Sequence, residues 1–270
     1  MDWIQGDKFK SIADFTYSPD VKFGEDYDNL QNTFCEKRLK DVNIIYTHTT
    51  YVKKLFELIS KLPQEFVIIT HNSDINITSD YIIPPNVRKW HTTNINAFDH
   101  RLYSIPIGLE NDRWYPELKK KEKMLAKLER PRGYKNLVYM NHNIKNNVSE
   151  RVKPYEALVY KSYCTTRMGS NGNGFDDYLD NIYNHFFVVC PNGNGMDTHR
   201  VWETLYMGSI PIMKRDLNNM YYSHLPILFI DEWSEINEGV LWDAHDRLYG
   251  FSYIKELEFS YWENKILDSL

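Results

Sequence analysis

The stretch that most constrains this chain is residues 186–213, FFVVCPNGNGMDTHRVWETLYMGSIPIM. Its pattern predicts a buried strand over 186–190, a Pro/Asn/Gly loop over 191–195, a helix over about 197–207 and a second apolar strand over 210–213. A buried strand that leads through a glycine-rich loop into a helix is how an α/β domain builds an anion site. We therefore expect an α/β domain in which this loop binds a phosphate.

The residues of the loop and of the helix start are suited to that task. Gly193 and Gly195 allow the backbone to come close to a ligand, and the N–H groups at the start of a helix favour negative charge. Asp197 and Thr198 are both suited to the N-cap position. His199 flanks the same loop, so we count all five residues among the candidate ligand contacts.

Arg200 and Glu203 are three positions apart and would share one face of the predicted helix. Arginine suits a diphosphate because its guanidinium group donates bidentate hydrogen bonds, and glutamate suits a ribose because an ionised carboxylate accepts from two hydroxyls. The alternative is an ordinary Arg–Glu pair on a helix, which contributes only about 0.2–0.5 kcal/mol. We predict that Arg200 binds a diphosphate and that Glu203 binds a ribose.

The run PNGNGMDTHRVWETLYMGSIPI resembles the exostosin-like glycosyltransferases, whose donor domain carries a similar succession of Pro-x-Gly-x-Gly, Arg-x-x-Glu and Gly-x-x-Pro. The resemblance is close over residues 183–211, about a tenth of the chain. It is looser over THNSD at 70–74 and SIPIGLENDRW at 104–114, which look like sequences of small bacterial and virus-encoded members. The resemblance implies a GT-B fold, a nucleotide-sugar donor and transfer of one sugar to a hydroxyl acceptor, with inversion favoured over retention.

Composition argues against several other classes of protein. A net charge of −5 over 270 residues is unlike a general nucleic-acid-binding protein, which carries a basic surface. No apolar run approaches the roughly 20 residues of a membrane-spanning helix, and the start MDWIQGDKFK is unlike a signal peptide. Cys35, Cys164 and Cys190 lack metal-site spacing and suit a reducing compartment. We expect a cytoplasmic protein without a transmembrane segment, unlike the Golgi-anchored animal and plant exostosins.

Short apolar runs alternate with helical patterns along the rest of the chain, which predicts parallel sheets covered on both faces. We expect a GT-B-like α/β fold of two small Rossmann-like domains that face each other across a cleft. The acceptor-side domain is predicted over 1–115, a charged connector over 116–135 and the nucleotide-sugar-binding domain over 136–270. A C-terminal helix over 251–270 is a candidate to cross back to the first domain. Residues 1–40 show weak periodicity and predict only loop and short helix.

Ligands of open α/β sheets bind beyond the carboxyl ends of the strands. The predicted strands cover 42–46, 66–70, 89–91 and 102–107 in the first domain, and 137–141, 164–166, 186–190, 210–213 and 226–230 in the second. Five polar residues of the second domain are candidates to hold the donor. Three of them lie at or after the ends of predicted strands, namely Asn141, Asn143 and Arg167. The other two, Lys145 and Arg151, lie near the start of the next helix. The alternative for Arg167 is a plain surface arginine.

The acceptor hydroxyl needs a base, and the strand over 66–70 ends in HNSD. Asp74 and His71 are the base candidates, with a purely structural histidine as the alternative for His71. His100 beside Asp99 is a further candidate. Two pairs of carboxylates are considered as metal ligands, one at residues 176–177 and one formed by Asp243 and Asp246. Both pairs are typical of helix starts or exposed charges, so we predict no metal site and no cofactor.

The leading prediction is a glycosyltransferase that moves a single sugar from a nucleotide-sugar, with UDP favoured over GDP, to a hydroxyl of a glycan. Basic side chains and helix amides would stabilise the leaving diphosphate without a metal ion. Asp197 would contact the donor sugar or cap the helix, and both roles stay open. A fucosyltransferase-like enzyme that uses a GDP-sugar and a non-catalytic sugar- or nucleotide-binding module are the alternatives. A P-loop phosphotransferase is disfavoured because the chain contains no GxxxxGK[ST].

Overall fold

The computed structural model describes residues 1–18, 39–134, 136–167, 174–250 and 253–270. Within these ranges the chain divides into two compact units, one formed by Met1–Ile107 with Glu258–Leu270 and the other by Gly108–Leu257. Each unit contains a five-stranded sheet in which all pairings are parallel. The prediction of an α/β fold with parallel sheets is therefore confirmed.

The first unit builds its sheet from strands taken in their order along the chain. Its elements up to the end of the sheet are α1 (Gly6–Ser11), β1 (Phe15–Tyr17), β2 (Ile44–His48), α2 (Val52–Ile59), β3 (Phe66–His71), β4 (Val87–Thr92) and β5 (Leu102–Ser104). The order across the sheet is β1-β2-β3-β4-β5, so each described strand pairs with the one before it. Among the described strands of this sheet, the order therefore does not reverse at any point.

Aromatic side chains fill the core of the first unit. Trp90 on β4 packs edge-on against Phe56 on α2, with 5.1 Å between ring centroids. Its indole N–H donates to Thr70 Oγ1 on β3 at 2.9 Å, so the only polar atom of this buried ring is satisfied. Phe9 on α1 stacks on His71 at the end of β3, with ring centroids 5.0 Å apart. These contacts attach both helices to the sheet.

The second unit has the same number of strands but a different order. Its elements are α3 (Lys120–Leu128), β6 (Asn136–Met140), α4 (Val148–Leu158), β7 (Cys164–Thr166), α5 (Gly174–Tyr183), β8 (His185–Val189), α6 (His199–Tyr206), β9 (Ile210–Lys214), β10 (Leu228–Ile230) and α7 (Glu238–Leu248). The order across the sheet is β7-β6-β8-β9-β10. The chain adds β7 on one side of β6 and β8 on the other, which makes the junction of β6 and β8 a topological switch point.

Helix α6 is held against the second sheet by a buried apolar face. Val201, Trp202 and Leu205 are buried, and Trp202 meets Tyr222 edge-on with 5.2 Å between ring centroids. Strand β8, which precedes the helix, has a continuous buried run at its end. The strand–loop–helix–strand prediction over 186–213 is confirmed, and it places the start of α6 at the carboxyl end of β8.

Strand β1 is a structural feature that the sequence pattern did not indicate. Its three residues are too few to show a period of two, and pairing with β2 defines them instead. Thr47 Oγ1 on β2 donates to the carbonyl of Tyr17, and Asp14 Oδ2 accepts from the N–H groups of Asn43 and Ile44, each at 2.9 Å. The expectation of only loop and short helix over 1–40 is corrected by this strand.

The helix within the charged connector and the helix at the C-terminus are shorter in the structure than the predicted segments 116–135 and 251–270. Helix α3 begins at Lys120 because Lys119 adopts a left-handed φ of 46°. The last helix, α8 (Phe259–Leu267), belongs to the first unit, where the Phe259 N–H donates to the Asp2 carbonyl. Residues 23–30 and Cys35 lie outside the described residues. Within the described ranges, no helix combines the length and apolar character needed to cross a bilayer.

Candidate functional site

The loops that follow β6 and β8 are joined by hydrogen bonds at the switch point of the second unit. Asn147 Nδ2 donates to the Gly193 carbonyl at 2.7 Å, and Arg151 Nε donates to the Asn192 carbonyl at 2.9 Å. Arg151 Nη1 also donates to the Asn143 carbonyl at 3.0 Å. The first turns of α4 therefore hold both loops in one arrangement at the carboxyl edge of the sheet.

Gly193 is required by the close approach of an arginine. A Cβ atom at this position would lie 2.9 Å from Arg151 Nη2 and 3.3 Å from Thr198 Cγ2. The Gly193 N–H donates to the Gly195 carbonyl at 2.9 Å, which closes the loop into a tight turn. The sequence predicted that glycine here admits a ligand, whereas the structure shows that it admits the guanidinium group that could bind one.

Helix α6 begins without a side-chain cap. Thr198 occupies the N-cap position but makes no capping hydrogen bond, and its Oγ1 is buried without a partner among the described residues. Asp197 is buried, and its two carboxylate oxygens accept from Trp202 Nε1 at 2.9 and 3.1 Å. Of the two predicted N-cap candidates, the structure places Thr198 at the position, and Asp197 anchors the tryptophan of the same helix.

Arg200 is half-buried in the first turn of α6. Its Nε is buried and has no hydrogen-bond partner in the described part of the chain. Its guanidinium carbon lies 5.8 Å from the ring centre of Tyr178. No ion pair in direct contact joins it to Glu203 or to any other described carboxylate, although the charge of Glu203 acts on it from a distance. The two residues therefore do not form the contacting Arg–Glu pair of an ordinary helix surface.

Arg151 supplies a second guanidinium group at the switch point. Burial and then the charge of Arg200 lower the pKa of Arg151 to about 10, which still leaves it protonated at neutral pH. Its hydrogen bonds go to backbone carbonyls, and it has no carboxylate partner within the described ranges. Buried positive charges are ordinarily paired because an unpaired buried charge costs several kcal/mol. Arg151 and Arg200 together therefore leave positive charge for an anion to balance.

Glu203 offers hydrogen-bond acceptors next to this charge. It is buried on α6, and its Oε2 accepts from the Tyr178 hydroxyl at 2.6 Å. Burial, followed by the negative charge of Glu203, raises the pKa of Tyr178 well above its usual range, so the phenol stays protonated and donates. Glu203 Oε1 makes no hydrogen bond within the described part of the chain, and it is left to accept one from a ligand.

His142, which the sequence analysis did not single out, lies at the same switch point. Its Nε2 donates to the Arg151 carbonyl at 2.8 Å, and its Nδ1 is buried without a partner among the described residues. Burial and the charges of Arg200 and Arg151 lower its pKa to about 4, so the ring is neutral at pH 7. His142 Nδ1, Thr198 Oγ1 and Arg200 Nε are thus three buried polar atoms without partners among the described residues, and all three belong to the loops and the helix start at this switch point. The sequence places His142 in a polar loop two residues beyond β6, where nothing distinguishes it from its neighbours.

The two asparagines predicted for the donor site lie in the β6 loop. Asn141 Nδ2 donates to the Tyr139 hydroxyl at 2.8 Å, while Asn143 is exposed and accepts from the Lys145 N–H at 3.1 Å. Asn141 is therefore tied to the sheet, whereas Asn143 shapes the turn to which Arg151 binds.

Two further predicted residues lie at the edges of the site. Arg167 is exposed at the end of the edge strand β7, with its backbone N–H donating to the Met140 carbonyl. His199 Nδ1 donates to the Gly108 carbonyl at 2.7 Å, which joins the start of α6 to the first residue of the second unit. The remainder of the predicted loop that follows Arg167 lies largely outside the described residues.

The base candidates lie in the first unit. His71 is fully buried, its Nε2 donates to the Pro106 carbonyl at 2.9 Å, and its Nδ1 accepts from the Asn72 N–H at 2.7 Å. Both ring nitrogens are occupied, which favours a structural role for His71. Asp74 is exposed three residues further along the loop after β3, so of the two candidates its carboxylate is the more accessible to an acceptor.

Other titratable groups do not form a metal site in the described ranges, where no group of three or more His, Cys, Asp or Glu side chains is placed to hold an ion. The predicted exposed carboxylates include Asp176, which pairs with Lys123 at 2.8 Å, and Asp243, which pairs with Arg247 at 3.1 Å. Burial raises the pKa of the Cys190 thiol to about 12, so it behaves as a small apolar side chain beside α6.

Comparisons with known proteins add no relative. No family model matches the chain, and no curated protein matches its sequence significantly. The resemblance to exostosin-like glycosyltransferases therefore stays a prediction that depends on the residues of the β8–α6–β9 segment.

Proposed function

We propose that the second unit binds the diphosphate and ribose of a nucleotide-sugar, and that the protein is a glycosyltransferase of GT-B type that transfers a single sugar to a hydroxyl of a glycan. The observation that carries this proposal is the pair Arg151 and Arg200, two guanidinium groups at a topological switch point without a carboxylate partner in the described residues. Guanidinium groups bind phosphates bidentately, and switch points are where open parallel sheets bind nucleotides. A diphosphate matches both the charge and the position.

The neighbouring acceptors support a nucleoside beyond the diphosphate. Glu203 has one carboxylate oxygen held by Tyr178 and the other without a protein partner within the described ranges. Such a group suits a ribose diol, which donates hydrogen bonds, and it would repel a phosphate. The site thus separates donors for an anion from acceptors for hydroxyl groups, as a nucleoside diphosphate requires.

This arrangement would favour departure of the diphosphate during glycosyl transfer. The bond between the sugar C1 and the diphosphate oxygen breaks with its electron pair on the oxygen, while the acceptor oxygen forms a new bond to C1 and releases its proton to a base. The charge that develops on the diphosphate is stabilised by Arg151, Arg200 and the uncapped amides at the start of α6. A single displacement of this kind inverts the configuration at C1.

Asp74 is our proposed base. It is exposed, whereas both ring nitrogens of the alternative, His71, are engaged in hydrogen bonds. A base must reach the proton that it removes, and an accessible carboxylate meets that condition better than a fully buried imidazole. The Asp74→Asn variant should therefore bind the donor normally and transfer sugar at a rate lowered by roughly 10²–10⁴-fold.

A donor screen tests the proposal as a whole. The full chain is incubated with UDP-sugars and GDP-sugars and a mixture of simple glycan acceptors, and nucleotide release is measured for the wild type, Asp74→Asn and the matched control Asp80→Asn. Turnover with UDP-sugars supports the proposal, and turnover only with GDP-sugars identifies a fucosyltransferase-like enzyme. Binding of UDP or GDP by calorimetry without any turnover identifies a non-catalytic module. Absence of both binding and turnover refutes the proposal.

A further inference from the structure

We propose that His142 recognises a hydrogen-bond donor on the nucleoside part of the ligand, through its Nδ1 atom. This inference rests on the proposed function and names a residue that would determine which nucleoside is accepted. His142 is 1% exposed and stands two residues beyond β6, on the side of the sheet where β6 meets β8. Its Nδ1 is buried and has no partner among the described residues.

The hydrogen bond on the other ring nitrogen determines the tautomer. Nε2 lies 2.8 Å from the Arg151 carbonyl, and a carbonyl oxygen can only accept, so the proton of the neutral ring is on Nε2. Nδ1 therefore carries a lone pair and acts only as an acceptor. A buried acceptor that no group satisfies lowers stability, and a ligand bound at the switch point would supply the missing donor.

The chemistry of Nδ1 restricts which part of the ligand it can contact. Phosphate oxygens are acceptors at neutral pH and suit Arg151 and Arg200, whereas they would face the lone pair of Nδ1 unfavourably. The partner of Nδ1 must carry hydrogen on nitrogen or oxygen. In a nucleoside diphosphate this is a ring N–H of the base or a hydroxyl of the ribose, and both have the same hydrogen-donating chemistry.

The other polar atoms at the switch point are consistent with this division of roles. Arg151 is bound to His142 through its carbonyl and presents its guanidinium group to the β8 loop, so one residue links the imidazole to the anion site. Thr198 Oγ1, also buried without a described partner, can donate or accept and thus fits either side of the ligand. A ligand with an anionic end and a donating end would satisfy all of these atoms at once.

Two substitutions separate the Nδ1 contact from the structural bond of Nε2. In His142→Gln, the side-chain amide can still donate to the Arg151 carbonyl but has no acceptor at the Nδ1 position. In His142→Asn, the side-chain oxygen can occupy the Nδ1 position, but the bond to the Arg151 carbonyl is lost. A purely structural role for His142 would make the Asn variant the weaker binder of every ligand.

Calorimetry with four probes measures the effect. We expect the wild type to bind UDP more tightly than inorganic pyrophosphate, and His142→Gln to weaken UDP binding by roughly tenfold, the value of one hydrogen bond, while pyrophosphate binding stays unchanged. If N3-methyl-UDP binds the wild type as weakly as UDP binds His142→Gln, the donor is the ring N–H. If 2′-deoxy-UDP does so instead, the donor is the 2′-hydroxyl, which is the ribose hydroxyl that we assign to His142 Nδ1. GDP, 1-methyl-GDP and 2′-deoxy-GDP replace these probes if the protein prefers guanine.

The outcomes distinguish this inference from the proposed function. A wild type that binds neither UDP nor GDP better than pyrophosphate refutes the proposed function. A wild type that prefers a nucleotide, with UDP and pyrophosphate affected equally in His142→Gln, refutes only the role of His142. Should the variant fail to fold, as judged by circular dichroism, the methylated and deoxy nucleotides are compared on the wild type alone. Equal affinity for all three nucleotides then overturns the inference.

Discussion

The carboxyl edges of the two sheets differ in how their polar groups are satisfied. At the end of β3, His71 bonds to Pro106 and Asn72, and Asn72 Nδ2 in turn donates to Asp7 and to the Tyr46 hydroxyl. The polar side chains at this edge of the first sheet are therefore satisfied by hydrogen bonds to other residues of the chain. At the switch point of the second sheet, by contrast, a guanidinium nitrogen and an imidazole nitrogen remain buried without partners in the described residues.

This difference indicates where a ligand belongs. The described buried atoms of the first unit that lack partners are neutral oxygens of Thr49, Asn76 and Asn86, which a water molecule can satisfy. Those at the switch point include one nitrogen of the Arg200 guanidinium group, which carries a permanent positive charge and suits an anion. The contrast follows the strand order, because open parallel sheets bind ligands where that order reverses, as it does at β6 and β8.

The largest expected effect is loss of anion binding when Arg200 is removed. Arg200→Ala should weaken binding of UDP and of pyrophosphate by roughly 30- to 1000-fold, since a buried charge-assisted contact is worth about 2–4 kcal/mol. Its free energy of unfolding should stay the same or rise, because the variant also removes the cost of burying a guanidinium group without an ion-pair contact. Calorimetry and urea unfolding measure the two quantities.

The matched variant in the first unit is Arg101→Ala. Arg101 Nη2 lies 2.9 Å from Asp99 Oδ2, and the same guanidinium group donates to the carbonyls of Ile83 and Pro84. We expect this variant to lose about 1–2 kcal/mol of stability and to keep its affinity for UDP. If Arg200→Ala is also destabilised and binds UDP normally, Arg200 is a structural residue and the contrast between the two edges does not hold.

Acid should destabilise both units through one buried histidine each. Burial and the charges of Lys89 and Lys265 lower the pKa of His91 to about 3, and burial with Arg200 and Arg151 lowers that of His142 to about 4. Because the folded pKa lies below the unfolded value near 6.5, the unfolded state binds more protons between the two values. The contribution of each neutral histidine is complete above about pH 6.5 and is lost as the pH falls, by about 2 kcal/mol at pH 5.

Substitution by glutamine should remove this pH dependence one unit at a time. His91→Gln and His142→Gln should each reduce the difference in unfolding free energy between pH 7 and pH 5 by about 2 kcal/mol. The double variant should add the two effects, since the residues lie in different units. Urea unfolding at pH 7 and pH 5 measures this difference. An unchanged pH dependence in both variants would contradict the prediction.

Two glycines provide a smaller contrast between the units. A Cβ at Gly6 would lie 1.9 Å from Asn72 Oδ1 and 2.6 Å from His71 Nδ1, whereas one at Gly193 would meet Arg151 Nη2 at 2.9 Å. Gly6→Ala should cost about 1–3 kcal/mol of stability by overpacking without altering UDP affinity. Gly193→Ala should displace a long side chain and weaken pyrophosphate binding several-fold. Thermal unfolding measures the stability of both variants, and calorimetry measures their affinity for UDP and pyrophosphate. Equal losses of stability and of affinity in the two variants would contradict this contrast.

The local structure around the site was predictable because it follows from short-range patterns. The buried run of β8, the glycine-rich loop and the amphipathic α6 are encoded within 28 consecutive residues, 186–213. The shared helix face of Arg200 and Glu203 also follows from their spacing. What each of these side chains contacts depends on other elements, and the pairing of Glu203 with Tyr178 on α5 could not be inferred from spacing.

The strand order and His142 lay beyond prediction for a related reason. Both sheets show the same alternation of apolar runs and helices, so the sequence does not indicate that one order is consecutive and the other reverses at β6 and β8. The significance of His142 depends on that reversal and on the carbonyl of Arg151, nine residues away. Long-range pairing gives this residue its role, whereas its immediate neighbours show only a polar loop.

The smallest expected effect concerns the residue that positions Glu203. Tyr178→Phe removes the hydroxyl that holds Glu203 Oε2 at 2.6 Å and leaves the ring beside Arg200 in place. We expect UDP affinity to fall by roughly three- to tenfold, because the carboxylate then has more than one orientation when it meets the ribose. Pyrophosphate affinity should stay the same or rise slightly, since the positive charge at Arg200 is untouched.

The control is a tyrosine outside the site, Tyr160, which is 95% exposed. Its variant Tyr160→Phe should change neither affinity. Equal losses for UDP and pyrophosphate would show that Tyr178 supports Arg200 rather than Glu203, and the separation of anion and ribose contacts at this switch point would need revision.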